Sequence, residues 1–199
     1  MRAAYHIASN EFADTSRKGG DIPYISHLLA VSALVIENGG TEEQAAAALL
    51  HDIIEDRNIA DHHLSQRLIE AGATSAAAET IVTIVTGTSD GRLGQERSAS
   101  TWRERKTNYH ESLAKKTVGD PSILVSLADK VHNLESTLAQ VRSGLSPDEI
   151  FDHFHVGTSD QKWNYESLLA IFTEHAKYCP ELAGLVTRLR FAFIEVFSR

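Results

Sequence analysis

Residues 41–56 have the sequence TEEQAAAALLHDIIED, and this stretch decides the fold. Thr41 is a favourable N-cap residue, and Glu42 and Glu43 put negative charge in the first helical turn. The alanines and leucines that follow have high helix propensity and leave no charged face toward water. The stretch therefore predicts a buried central helix that continues without a break through residue 56.

Apolar residues also recur at helical spacing in the segments on both sides of the central helix. These segments are 24–38, 59–71, 75–85, 121–143, 160–178 and 181–197. Residues 81–85 would also suit a buried strand, but a helix is favoured because three alanines lead directly into them and no partner strand is evident. Residues 86–100 are rich in Gly, Ser and charge, which predicts a loop.

The long segment after Pro121 carries an apolar stripe that we expect to face the core. Its members are Ile123, Leu127, Val131, Leu134, Leu138 and Val141. Asp129 lies about 200° around the helix from Leu127, on the side opposite the stripe. The sequence therefore predicts a polar face there, on which Asn133 and Ser136 follow Asp129.

The composition limits the class of protein. The 199 residues are 42% hydrophobic with a net charge of −8, and a chain of this length can bury one core without disulfides. We therefore expect one all-helical domain over residues 1–199.

The negative charge disfavours a nucleic-acid polymer as partner. The chain lacks a signal-like apolar segment and a window near the roughly 18 apolar residues of a membrane span. Its single cysteine, Cys179, is typical of a reducing compartment. These features predict a cytoplasmic protein without membrane association and leave the oligomeric state open.

Four ionisable groups stand at the end of the predicted central helix. They are His51, Asp52, Glu55 and Asp56, and their i, i+4 spacing puts them on one sector of the helix. Burying such groups without a partner costs free energy. We therefore expect either a metal ion or a solvated cleft beside them.

Two further residues complete a possible metal site. His27 stands in the first part of its helix and Asp129 on the long helix, so that His27, His51, Asp52 and Asp129 offer two nitrogens and two carboxylates. This mixed set suits one divalent ion such as Mn, Fe or Zn with positions left for water. Any one histidine alone is more often a surface or core residue. The joint placement on three helices favours the metal site.

Three stretches resemble the motifs of a known family. Residues 17–27 are RKGGDIPYISH, residues 47–56 are AALLHDIIED, and residues 127–134 are LADKVHNL. Together they resemble the HD-domain metal-dependent phosphohydrolases and, within them, the alarmone hydrolases of the RelA/SpoT family and the small stand-alone alarmone hydrolases. The resemblance covers most of the first 140 residues. It implies an HD-domain helical bundle that binds manganese and removes the 3′-pyrophosphate of guanosine tetra- or pentaphosphate to leave GDP or GTP.

The resemblance also implies roles for individual residues. The implied metal ligands are His27, His51, Asp52 and Asp129, with Mn²⁺ expected and other divalent ions possible. Glu55 and Asp56 correspond to the acidic pair that orients or deprotonates the attacking water. These two residues are therefore the candidate catalytic residues.

The resemblance implies a nucleotide substrate and a set of residues that bind it. They are Arg17, Lys18, Lys106, Asn133, Ser136 and Tyr165. Arg17 and Lys18 correspond to residues that pack against the guanine base, where a planar guanidinium can stack. Lys106 corresponds to a lysine that faces a phosphate, but an exposed helix charge paired with Glu104 or Glu111 explains it equally well.

Alternative functions stay open at this stage. One is an HD phosphohydrolase for another nucleotide, such as an adenosine alarmone or a nucleoside monophosphate, and another is an antitoxin-like partner of an alarmone synthetase. Residues 17–18 and the acidic pair favour the alarmone hydrolase, because a generic HD site needs only the four ligands. Gln161 replaces an arginine found in several relatives, which leaves phosphate recognition at that position open.

Overall fold

The computed structural model describes residues 1–90, 98–154 and 156–198. Within them the regular secondary structure is helical, apart from one isolated antiparallel bridge between Ser16 and Pro23. The all-α prediction is therefore confirmed. Among the helices of the described residues, none combines the length and the apolar composition that a membrane span requires.

The helices largely follow the predicted segments. They are α1 (Arg2–Glu11), α2 (Ile25–Glu37), α3 (Glu42–Leu50), α4 (Ile53–Arg57), α5 (Asp61–Glu70), α6 (Ser75–Thr88), α7 (Ala99–Lys115), α8 (Pro121–Arg142), α9 (Pro147–Phe151), α10 (Thr158–Ala176) and α11 (Ala183–Phe197). The helix at residues 81–85 is confirmed as part of α6. Helices α1, α7 and α9 were not predicted. Of the loop predicted over 86–100, residues 91–97 lie outside the described part of the chain.

The prediction of one unbroken helix through residue 56 is wrong. Its start is as expected, because Thr41 and Gln44 form a reciprocal capping box. Helix α3 nevertheless ends at Leu50, and His51 and Asp52 form a turn before α4. His51 Nδ1 lies 2.8 Å from the Ala48 carbonyl oxygen, an acceptor that a further helical turn would use. Asp52 has φ −93° and ψ −2°, in the bridge region between helix and strand.

The first of two compact units comprises residues 1–95 and 121–128. Helix α3 lies at its centre and packs against α1, α2 and α6, while α5 packs against α6. Residues 45–50 of α3 are all buried, which confirms the buried central helix. The small alanine side chains let α2 approach closely enough for Ser32 Oγ to donate a 2.8 Å hydrogen bond to the Ala45 carbonyl.

The second unit comprises residues 96–120 and 129–199. Helix α10 packs against α7, α9 and α11. Buried polar side chains join α10 to α7. His110 Nε2 lies 2.9 Å from Asn164 Oδ1, and His175 Nε2 lies 3.0 Å from the Leu113 carbonyl oxygen. One domain over residues 1–199 stays a prediction.

Helix α8 is continuous across the division at residues 128 and 129. All six residues of its predicted apolar stripe are buried, as expected. The opposite side is buried as well, because every residue from Ser122 to Asp129 is buried. Asp129 is only 6% exposed, so its carboxylate needs polar partners.

Candidate metal centre

Three buried side chains converge in the structure. His27, His51 and Asp129 each offer one ligand atom, and these atoms all lie within 4.8 Å of one another. Atoms bound to one common ion are separated by about 3–4 Å. Two imidazole nitrogens and one carboxylate oxygen are also a donor set that divalent transition metals accept. The arrangement therefore fits a single divalent ion.

The two histidine rings meet edge to face at this site. Their ring centroids are 5.1 Å apart with an interplanar angle of 70°. His51 Nδ1 faces the Ala48 carbonyl oxygen, which can only accept a hydrogen bond, so this nitrogen carries the proton. When the ring is neutral, this arrangement leaves the lone pair on Nε2, the form in which histidine binds metals.

Asp52 lies beside the histidine pair, although it is outside the cluster of three. Its Oδ2 atom is 3.0 Å from His51 Nε2 and 3.7 Å from His27 Nε2. The same oxygen accepts a 2.5 Å hydrogen bond from the Tyr24 hydroxyl. The structure thus places the fourth predicted ligand next to two of the others, and its binding of a metal stays a prediction.

The carboxylate of Asp129 has its own polar surroundings. Lys130 Nζ lies 2.5 Å from Oδ2, and Asn133 Nδ2 donates to Oδ1 at 2.5 Å. These contacts offset the cost of burying the charge. Asn133, which the sequence assigned to the nucleotide, therefore also orients a candidate metal ligand.

The two acidic residues of α4 have different surroundings. Glu55 Oε1 accepts hydrogen bonds from Ser89 Oγ at 2.8 Å and from the Asp90 backbone N–H at 2.6 Å. Asp56 is exposed. Glu55 is thereby attached to the segment that follows α6, whereas the Asp56 carboxylate can reach solvent.

The predicted base-binding residues lie on a short closed loop. The bridge between Ser16 and Pro23 closes it, and the Arg17 N–H donates to the Ile22 carbonyl at 2.8 Å. Gly19 has a φ of +82°, a conformation that glycine adopts at little cost. The Arg17 guanidinium carbon lies 5.9 Å from the centroid of the Tyr24 ring. Lys18 is exposed on the same loop.

Other predicted substrate residues lie on α7, α8 and α10. Lys106 Nζ is 5.9 Å from the centroid of the Tyr109 ring. Ser136 Oγ donates to the His132 carbonyl at 2.8 Å, while Tyr165 is buried with its ring 6.2 Å from that of Phe197. Their contact with a substrate stays a prediction.

Positive charge accumulates around His110 in the second unit. Burial lowers the pKa of His110 below the ordinary value of 6.5, and the cations of Lys106, Lys130 and Arg103 lower it further, against the opposing hydrogen bond to Asn164. Arg103 is ion-paired with Asp160 at 2.7 Å. Lys130 is likewise paired, with Asp129 at 2.5 Å, so two of these three cations face a carboxylate.

Two contacts of this site were missed by sequence reasoning. The sequence identifies Tyr24 only as part of a motif, although its position three residues before His27 places it beside the first candidate ligand. Ser89 gave no signal, because an isolated serine in a polar segment carries none. Both contacts join residues that are about 30 positions apart.

Comparisons with known proteins agree on one family. A family model described as HD domain matches residues 4–152. A probable guanosine-3′,5′-bis(diphosphate) 3′-pyrophosphohydrolase of Synechocystis is 30% identical over 182 residues, which is 88% of this chain and 22% of the relative. The bifunctional (p)ppGpp synthase/hydrolase SpoT of Escherichia coli K12 is 28% identical over 142 residues, 71% of this chain and 18% of the relative. The chain spans about a fifth of the length of these relatives.

A solved structure has the same fold. It is described as a metazoan ortholog of SpoT that hydrolyzes ppGpp and plays a role in starvation responses. The TM-score is 0.58 at 23% sequence identity, and the match covers 98% of this chain and 92% of that chain. The likeness confirms the helical architecture over nearly the whole sequence.

Proposed function

This chain belongs to the HD-domain family, and on that basis we propose that it is a cytoplasmic, metal-dependent hydrolase that removes the 3′-pyrophosphate of guanosine tetra- or pentaphosphate. The observation that carries the proposal is the convergence of His27, His51 and Asp129 within 4.8 Å, in a chain whose named relatives include ppGpp 3′-pyrophosphohydrolases. A small phosphorylated nucleotide is thus the proposed partner.

Four side chains would hold the ion in this proposal: His27, His51, Asp52 and Asp129. The donor set is two nitrogens and two carboxylates, for which Mn²⁺ is our proposed ion. When bound, such an ion supplies Lewis-acid chemistry and makes water a nucleophile near neutral pH. The proton on His51 Nδ1 supports the assignment, because it leaves Nε2 as the ligand atom.

The acidic residues of α4 would orient and deprotonate the attacking water. The reaction consumes one water molecule: its oxygen bonds to the phosphorus next to the ribose, the bond to the 3′-oxygen breaks, and this oxygen takes up a proton to become the 3′-hydroxyl of GDP or GTP. Asp56 is exposed and can accept the proton of the water. Glu55, held by Ser89 and the Asp90 backbone, would orient the water.

The nucleotide itself would meet basic side chains. Arg17 and Lys18 project from the closed loop, where a guanidinium can stack on the guanine base. Lys106 and Lys130 contribute positive charge on α7 and α8, where both lower the pKa of His110. Local cations of this kind attract a substrate with several phosphates despite the negative net charge.

The test is a product assay with the purified full chain. We expect Mn²⁺-dependent release of GDP and pyrophosphate from ppGpp, and His51→Ala should abolish it. His62→Ala is the matched control, because His62 is exposed on α5.

Other products would contradict the proposed substrate. Orthophosphate released from nucleoside monophosphates, with ppGpp left intact, would support the generic HD phosphohydrolase. Protection of cells from a synthetase toxin by Asp52→Ala, equal to that by the wild type, would support the antitoxin-like partner.

A further inference from the structure

Tyr24 connects the base-binding loop with a candidate metal ligand. It is the residue immediately before α2, and its backbone N–H donates to the Thr15 carbonyl at 2.8 Å. Its hydroxyl donates to Asp52 Oδ2 at 2.5 Å. A hydrogen bond to an ionised acceptor is shorter and stronger than one between neutral groups. The hydroxyl therefore restrains the orientation of the Asp52 carboxylate.

The ring of Tyr24 is itself held in place by a stack. It lies parallel to the ring of Phe12, with centroids 5.0 Å apart and an interplanar angle of 18°. The Arg57 guanidinium lies 4.5 Å from the centroid of Phe12, and it also donates to Thr15 Oγ1. Phe12 is 1% exposed, so the central ring of the stack lies in the core of the first unit.

The stack joins the two ends of α4. Asp52 is the N-cap residue of this helix and Arg57 is its last residue. The Asp52 side chain is 19% exposed and makes no cap hydrogen bond, so helix capping does not set its direction. The hydrogen bond from the Tyr24 hydroxyl, whose ring stacks on Phe12, contributes to that direction instead.

We propose that the stack formed by Arg57, Phe12 and Tyr24 positions the Asp52 carboxylate for the metal ion. This inference rests on the proposed function, because it requires that Asp52 binds the ion. Hydrogen bonds to a ligating carboxylate orient it, and losing such a partner typically weakens metal binding about 10- to 100-fold. Tyr24 is thus a positioning residue that acts through Asp52.

Tyr24→Phe tests this proposal, because it removes the hydroxyl and keeps the stacked ring. The metal-free full chain is titrated with Mn²⁺ in a calorimeter, and we expect its Kd to rise about 10- to 100-fold. Turnover of ppGpp should recover at saturating Mn²⁺. Tyr5→Phe is the matched control, because Tyr5 is 48% exposed on α1, and it should bind Mn²⁺ as the wild type does.

A double-mutant cycle with Asp52→Ala separates positioning from general damage, because alanine leaves no acceptor for the Tyr24 hydroxyl. If Tyr24 acts through Asp52, adding Tyr24→Phe to Asp52→Ala should change the Kd for Mn²⁺ by less than about threefold. A full, additive loss in the double variant would overturn the proposal. Arg57→Gln should weaken Mn²⁺ binding in the same direction but less, and it carries the test if Tyr24→Phe does not fold.

The remaining outcomes are distinct. If the wild type binds Mn²⁺ and Tyr24→Phe and Arg57→Gln bind it equally tightly, the positioning role is wrong while the proposed function stands. If the wild type binds no divalent ion, the proposed function fails, and this inference fails with it.

Discussion

His51 shows how one side chain serves both fold and chemistry. Its Nδ1 faces the Ala48 carbonyl at the end of α3, where the predicted helix breaks. The same contact determines which nitrogen is protonated and directs Nε2 toward His27 and Asp52. A histidine at this position therefore contacts the last turn of a helix and presents a candidate ligand atom at the same time.

The first prediction at the residue scale concerns Glu55 and Asp56. Glu55→Gln with Asp56→Asn should lower turnover of ppGpp about 100-fold or more, because general-base assistance is lost. The metal content should stay near that of the wild type, because the candidate ligands are untouched and the glutamine keeps an oxygen acceptor for Ser89. Steady-state kinetics and elemental analysis of the purified protein measure both.

Glu70→Gln is the control for that prediction. Glu70 is exposed on α5 and accepts a 2.9 Å hydrogen bond from Gln66. It should leave turnover unchanged. Unaltered turnover in the Glu55 and Asp56 double variant would refute the role of the acidic pair.

At the scale of elements, His110 and Asn164 join α7 to α10. The amide oxygen of Asn164 accepts from Nε2 at 2.9 Å, which fits the neutral imidazole. Burial and nearby cations lower the pKa of His110 below 6.5 in the folded protein. Below pH 6.5 the unfolded chain therefore binds a proton here more readily than the folded protein does.

This linkage predicts how stability changes with pH. The contribution of neutral His110 is present above pH 6.5 and is lost as the pH falls through the lower pKa of the folded protein. His110→Gln keeps a donor for Asn164 but cannot titrate, so its stability should fall less steeply than that of the wild type between about pH 7.5 and 5.5. Urea unfolding at several pH values measures the difference.

A histidine outside the α7–α10 contact provides the control. His62→Gln changes an exposed imidazole and should follow the wild-type pH dependence. Parallel curves for the wild type and His110→Gln would contradict the buried neutral state of His110.

At the scale of the whole molecule, metal binding and folding are coupled in the proposed function. A ligand that binds only the folded state stabilises it by about 2.7 kcal/mol when its concentration is 100 times its Kd. Mn²⁺ at that excess should therefore raise the free energy of unfolding by about this amount, and a chelator should reverse the gain.

Two variants make this third prediction specific. His51→Ala should lose the increment, because it removes a candidate ligand, whereas His62→Ala should keep it. Thermal unfolding with and without Mn²⁺ provides the measurement. An equal increment in both variants would place the stabilising ion elsewhere on the protein.

The amino-acid sequence by itself determined most of the helices of this protein. The signals for these helices are local: apolar residues at helical spacing, the N-cap residue Thr41 and the glycines that end helices. Local signals of this kind specify local structure. The sequence also indicates the candidate ligands His27, His51, Asp52 and Asp129, because polar groups stand where apolar periodicity is interrupted.

Only the tertiary structure decided how these residues meet. The break between α3 and α4, the attachment of Glu55 to Ser89 and the bond from Tyr24 to Asp52 all depend on contacts between separate elements. Periodicity along a chain describes one helix at a time, whereas these contacts depend on how several helices pack. The sequence therefore indicated which groups could act, and packing determined which atoms lie within bonding distance.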